Sequence, residues 1–240
     1  MLFRSPVCAR LGDVPLRSPA SLRPNRFGGA FLVEVGRGCP RSCAFCVART
    51  GTAPARFSPA DRILAAVPEG IARVGLLGAA VSDHPQLVPI VRELADRGIE
   101  VTLGSIRADR ATPELLDLLA RTGLRTLTVA ADGASEALRA AIRKDIHATD
   151  LLAAADAARG AGLRRLRLYA MVGLPDETEA DLAELCDLLE TPASRLRVAV
   201  SVSPFVPKRF TPLAEARVLP ARKLTRRSAW HGREGGGPGQ

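Results

Sequence analysis

From residue 31 to residue 202, short apolar runs alternate with longer amphipathic stretches, and this alternation limits the fold more than any other feature. Phe31–Val35, Ala72–Leu77, Ile99–Leu103, Leu124–Val129, Leu166–Ala170 and Arg197–Val202 read as six buried strands. Helical stretches separate them: Ser58 to about Val67, Gln86–Arg97, Thr112 to near Gly123, about 134–143, 149–161, and Glu177–Glu190. Ser58-Pro-Ala-Asp61 offers an N-cap serine, a proline at the first helical position and an acid in the first turn. Gly98 closes one helix and Gly160 and Gly162 another. Strands alternating with amphipathic helices build right-handed βαβ units on a parallel sheet. A closed eight-unit barrel needs roughly 250 residues. Six units over residues 31–202 therefore predict an α/β chain folded as an open, partial (β/α)6 TIM-like barrel, with a doubly wound sheet as the alternative.

The ends do not carry the pattern. Residues 1–26 are rich in Pro and Arg and predict an irregular N-terminal arm. The core domain spans 27–210. Residues 211–240 form a basic, low-complexity tail, disordered by composition and ending in Glu234-Gly-Gly-Gly-Pro-Gly-Gln. The net charge is +9, carried mostly by arginine. Many of these arginines are scattered along helix faces, but Lys208, Arg209, Arg217, Arg222, Lys223, Arg226 and Arg227 meet few acids. A nucleic-acid partner is weakly supported by that tail, and aromatics at 4% leave little for base stacking. No apolar run reaches the roughly 18 residues that a membrane span needs. The N-terminus lacks the apolar stretch of a secretory signal, so a cytoplasmic protein is expected.

Three of the five cysteines fall within eight residues: Cys39-Pro-Arg-Ser-Cys43-Ala-Phe-Cys46, directly after the first strand. This is no disulfide framework; it is ligand spacing. Three thiolates on one loop can cap three corners of an iron–sulfur cubane. A structural zinc site takes four ligands, and no fourth cysteine or histidine lies nearby in sequence. Three ligands leave one metal position open, as catalysis requires. A zinc loop completed by a distant histidine is the alternative.

The loop resembles the cluster motif of the radical S-adenosylmethionine (SAM) superfamily. The longer string Phe31-Leu-Val-Glu-Val-Gly-Arg-Gly-Cys-Pro-Arg-Ser-Cys-Ala-Phe-Cys46 is similar to the branch often fused to a cobalamin-binding domain. No such domain precedes it in this sequence. Ser105-Ile-Arg107 resembles the family's Ser-Leu-Arg, and Gly173-Leu-Pro-Asp-Glu-Thr178 its Gly-x-Pro-x-Glu-Thr turn. The resemblance covers about residues 27–210. It implies a [4Fe–4S] cluster on Cys39, Cys43 and Cys46, and reductive cleavage of SAM to a 5′-deoxyadenosyl radical. It places Phe45 by the cluster and adenine, and Gly78, Ala79 and Ala80 by the methionine amino group. Ser105, Asp132 and Ser135 are the polar contacts it implies, with Met171 and Gly173 at the adenine. Arg143 and Lys144 sit where relatives place a base for the SAM carboxylate. Gly78-Ala-Ala80 departs from the usual Gly-Gly-Glu, and Asp132 stands where relatives carry Glu.

The implied partners are a flavodoxin or reductase as electron donor and a substrate that the sequence does not name. Cobalamin, if used, would come from a separate chain. Three rival outcomes stay open: a tRNA methylthiotransferase-like enzyme, a truncated non-catalytic iron–sulfur module, and a zinc-binding interaction module.

Overall fold

A computed structural model describes Arg17 and residues 29–48, 54–193, 196–220 and 222–224. Most of the expected N-terminal arm and the end of the tail lie outside the described residues. The elements run β1 (Phe31–Glu34), β2 (Gly36–Arg37), β3 (Arg56–Phe57), α1 (Ala60–Ala65), β4 (Arg73–Leu77), α2 (Leu87–Asp96), β5 (Glu100–Leu103), α3 (Pro113–Arg121), β6 (Thr126–Asp132), α4 (Glu136–Ala141), α5 (Ala148–Gly160), β7 (Arg165–Val172), α6 (Glu179–Ala193) and β8 (Arg197–Pro204). Two short 3₁₀ turns, Val81–Asp83 and Ala108–Arg110, follow β4 and β5.

Two parallel half-sheets form, β1-β4-β5 and β6-β7-β8. A single parallel bridge, Ile106 to Val129, joins them. The result is an open six-stranded barrel. Arg17 pairs with Val33 on the β1 edge. β2 and β3 make a separate two-residue antiparallel pair, too short for periodicity to announce.

The alternation in burial shows which face is covered. Along β7, Leu166, Leu168, Ala170 and Val172 are buried, while Arg165, Arg167 and Tyr169 are exposed and Met171 is half-buried. The buried face meets Leu151 and Leu152 of α5 and Leu188 and Leu189 of α6. The apolar core thus lies between sheet and helices, and the opposite, concave face of the strands stays open.

Most helix boundaries follow the capping chemistry. The Thr112 side chain accepts the Leu115 N–H at 3.3 Å, and Pro113 occupies the first helical position. The expected Ser58 cap does not form: α1 begins one residue later, after Pro59, with no side-chain cap. The Ser58 backbone is used elsewhere. Its N–H donates to Val35 O at 3.0 Å and its carbonyl accepts His84 Nε2–H at 2.8 Å. The fourth strand runs on to Asp132, past the expected end at Val129, because a bulge between Ala130 and Asp132 restores pairing with β7. Residues 211–220 and 222–224 turn back onto the core: Leu213 N–H reaches Ala44 O at 3.3 Å, and Leu219 and Leu224 lie against Gly173.

Two glycines test this packing. A Cβ on Gly133 would stand 2.7 Å from Arg139 N and 2.9 Å from Leu138 C, both α4 backbone, whereas one on Gly160 meets nothing within 4 Å. Gly133→Ala is expected to cost about 1–3 kcal/mol, and Gly160→Ala to be neutral or to stabilise by up to about 1 kcal/mol; urea unfolding of both variants checks the contrast.

Two histidines make a pH test. His84 is held neutral by its geometry: Nε2–H donates to Ser58 O, and Nδ1 accepts Gln86 N–H at 3.0 Å. Burial pushes its pKa down. His147 is exposed, and its hydrogen bond to Glu136 pushes its pKa up. An NMR titration should place His84 below and His147 above the ordinary value of about 6.5. The His84 contribution to stability should shrink as pH falls below that value, and the His147 contribution as pH rises through its raised midpoint. A His84 midpoint at or above the ordinary value would contradict the packing described.

Candidate functional site

The cysteine loop leaves the sheet at a point only glycine allows. A Cβ on Gly36 would lie 2.7 Å from the Phe57 ring and 2.9 Å from Arg56 O. Gly38 follows with φ 79°, a left-handed turn that starts the loop. The loop is then pinned by its backbone. Ala44, itself buried, donates its N–H to Ile142 O at 2.8 Å, and Cys46 N–H reaches back to Cys43 O at 3.2 Å. Arg41 within the loop is ion-paired to Asp83 after β4 and reaches Asp109 at 3.5 Å. Cys39, Cys43 and Cys46 are all half-buried free thiols, and Phe45 packs on the core between the last two.

The other predicted residues gather at the same end of the barrel, where the strands' C-terminal ends form a mouth. Gly78 and Ala79 are exposed and Ala80 is buried. A Cβ on Gly78 would stand 3.0 Å from Gly36 O, so this segment lies directly against the strand that feeds the cysteine loop. Ser105 is exposed beyond β5. Asp132 ends β6 at φ 62° and receives Lys144 Nζ at 2.5 Å; side-chain exposures of 15% and 11% make this a largely buried pair. Met171 lies half-buried on the concave face near the end of β7, while Val172 points into the core. Gly173 takes φ 85°, and its N–H is bound by both Glu177 carboxylate oxygens at 3.0 Å.

Ser135 stands apart. It is 1% exposed, its hydroxyl caps α4 by accepting Leu138 N–H at 3.1 Å, and its proton goes to Asp181 on α6. Asp181 also accepts the Thr178 N–H and hydroxyl at 2.7 Å. The residue therefore locks the β6–α4 corner to the start of α6. Of the two basic candidates, Lys144 faces Asp132 and Arg143 is exposed at φ 54°.

Two buried arginines organise this mouth: Arg107, the last residue of the Ser-Ile-Arg motif, and Arg139, which no motif marks. Arg107 is 9% exposed and donates to Lys144 O at 3.1 Å, Asp145 O at 2.9 Å and Asp109 at 2.9 Å. Its N–H meets the Ser82 hydroxyl at 3.2 Å. It thereby stitches the loops after β4, β5 and α4 together, and it braces Arg143 and Asp145, both left-handed at a cost of roughly 1–2 kcal/mol each. Arg139 is 1% exposed and donates to Ile146 O at 2.8 Å, Ala134 O at 3.0 Å and Gly133 O at 3.3 Å, clamping the chain on both sides of α4.

The electrostatics couple loop and mouth. Burial pushes the Cys43 thiol up, Lys144 and Arg107 pull it back down, and Asp132 adds to the rise. The two cations offset part of that rise, and the net shift stays upward. A coordinating metal would deprotonate it outright. Among the described residues no three Cys, His, Asp or Glu side chains converge as the ligands of a single metal ion do. A cubane is held differently, each thiolate on its own iron. Three soft sulfur donors on one pinned loop fit such a cluster.

Comparison with known proteins agrees with this geometry. The radical SAM superfamily profile matches residues 33–189, more than half of the chain. A protein of Methanocaldococcus jannaschii described as uncharacterized protein MJ0966 is 37% identical over 207 residues, covering 84% of this chain and 46% of that protein. The chain thus spans about half the length of the curated relative it matches. Among solved structures, Streptococcus suis SuiB bound to S-adenosylmethionine has a TM-score of 0.58 at 17% identity, over 84% of this chain and 46% of that one. OxsB, a cobalamin-dependent S-adenosylmethionine radical enzyme, has a TM-score of 0.51 at 18% identity, over 72% and 28%. These likenesses show a shared barrel fold. With the profile match across β1 to α6 and the three-cysteine loop at the barrel mouth, the chain belongs to the radical SAM superfamily, whose enzymes use a [4Fe–4S] cluster and SAM.

Proposed function

We propose that Cys39, Cys43 and Cys46 hold a [4Fe–4S] cluster and that the chain reductively cleaves SAM for radical chemistry on a substrate in the barrel. The observation that carries this is the pinning of the cysteine loop by Ala44 N–H to Ile142 O, which holds three half-buried thiols on one loop at the barrel mouth. When bound, the cluster supplies one electron to the SAM sulfonium, whose carbon–sulfur bond breaks to give methionine and a 5′-deoxyadenosyl radical.

The chain's own residues position and shield. The exposed backbone at Gly78 and Ala79 offers peptide groups to the methionine end of SAM. Ser105 adds a hydroxyl at the rim. Asp132 and Lys144 present one anion and one cation, matched in sign to the amino and carboxylate groups of SAM. Met171 and the Gly173 turn supply an apolar wall for adenine, backed by Leu219 and Leu224. Phe45 covers the cluster side. The electron comes from a flavodoxin or reductase. Cobalamin from a second chain belongs to the proposal as an optional component, suggested by the fold likeness to OxsB.

Anaerobic reconstitution with iron and sulfide tests this. A brown cluster is expected, with 5′-deoxyadenosine after SAM and dithionite are added. Cys43→Ala should lose both, and Cys186→Ala, on α6, should keep both. Zinc without iron after anaerobic purification, or a stable cluster that never releases 5′-deoxyadenosine, overturns the proposal.

A further inference from the structure

The concave face of β6–β8 carries a charge arrangement that the cluster and SAM do not use. Arg165 and Arg197 are direct register partners on the adjacent strands β7 and β8. Arg167 shares their face one layer up, and Tyr169, 40% exposed, lies above it. All three arginines are exposed, and none has a carboxylate within ion-pair distance among the described residues. Like charges directly opposite on neighbouring strands destabilise a sheet. The other half of the same barrel solves this in the ordinary way: Arg73 and Glu100, register partners on β4 and β5, form an ion pair at 2.5 Å. On β7–β8 the matching acid is absent.

We infer that this arginine face binds an oxyanion group of the substrate, a carboxylate or a phosphate, so that the enzyme acts on an elongated anionic molecule. This substrate class rests on the proposed SAM-cleaving function. Guanidinium forks suit such groups bidentately. The strand rise fixes the reach: Arg167 and Arg165 lie four and six residues before Met171, about 13 and 20 Å along the strand at roughly 3.3 Å per residue. A substrate anchored there presents a carbon at the mouth, where the radical would form. The chain's own ends are poor occupants by charge. Residues 1–28 hold five arginines and one acid, and residues 225–240 three arginines and one acid. A nucleic acid would want stacking aromatics, and the face offers one tyrosine.

The test is arginine footprinting of the full-length, cluster-loaded protein. Phenylglyoxal labelling is read peptide by peptide with inorganic phosphate, with succinate, or with chloride at matched ionic strength. Phosphate or succinate should slow labelling of Arg165, Arg167 and Arg197 but not of Arg92 on α2. Whichever anion protects names the group. Arg167→Gln should weaken protection of the two remaining arginines about tenfold, the loss of one charge-assisted contact, while far-UV circular dichroism and cluster iron stay at wild-type levels. Three results overturn the inference: equal labelling with and without the anions, arginines already unreactive before any anion is added, or protection by an RNA oligonucleotide alone. Cluster iron and 5′-deoxyadenosine are measured on the same samples. Their loss would remove the SAM-cleaving function and leave anion binding standing, and the reverse result would do the opposite.

Discussion

The mouth of this barrel hangs on the seam between β5 and β6. Ile106 N–H donates to Thr128 O at 2.9 Å and so joins two half-sheets that share no longer ladder. The next residue, Arg107, turns that seam into a clamp. Its guanidinium holds the carbonyls of Lys144 and Asp145, and its backbone N–H holds Ser82. Lys144 is thereby fixed against Asp132. Ile142, two residues before Lys144, accepts the Ala44 N–H that pins the cysteine loop. A buried guanidinium is costly unless its donors are met, and here carbonyls and Asp109 meet them. Position at the cysteine loop is thus set from the far side of the barrel.

That chain of contacts explains how a loop with three thiols can be held without disulfides. The main anchors are backbone groups and charged side chains. Cys46 Sγ accepts the Ala48 N–H at 3.5 Å, and no sulfur is tied up in a disulfide. Arg41 contributes from inside the loop, tied to Asp83 after β4. The C-terminal segment closes the arrangement by bonding Leu213 to Ala44 and resting Leu219 and Leu224 on Gly173. The composition of residues 211–240 suggests only a solvated basic tail, because the few leucines that dock are spread among arginines and prolines.

The fold was legible where a physical period exists. Apolar runs of five or six residues located all six barrel strands, and proline with threonine located the start of α3. Ser58 misled because its backbone, with Val35 and His84 as partners, outweighs a cap. The two-residue pair β2–β3 has no period to read. The three cysteines stand out by spacing alone, and the structure holds them half-buried on one loop at the barrel mouth. The roles of Arg107 and Arg139 were not legible, because a buried arginine differs from a solvated one only in its tertiary partners. Ser135 looked like a ligand contact from its motif, yet its hydroxyl serves the α4 cap and Asp181. The arginines of the concave face were hidden for the opposite reason. They alternate with leucines as any strand's outward residues do, and only the β7–β8 register shows that two of them oppose each other.

The central claim is that three cysteines leave one iron open for SAM. Mössbauer spectroscopy of the iron-57 reconstituted protein measures this most directly. The account predicts a [4Fe–4S] signal in which one iron of the four changes its isomer shift when SAM is added. A spectrum unchanged by SAM, or four equivalent irons in both states, would contradict it.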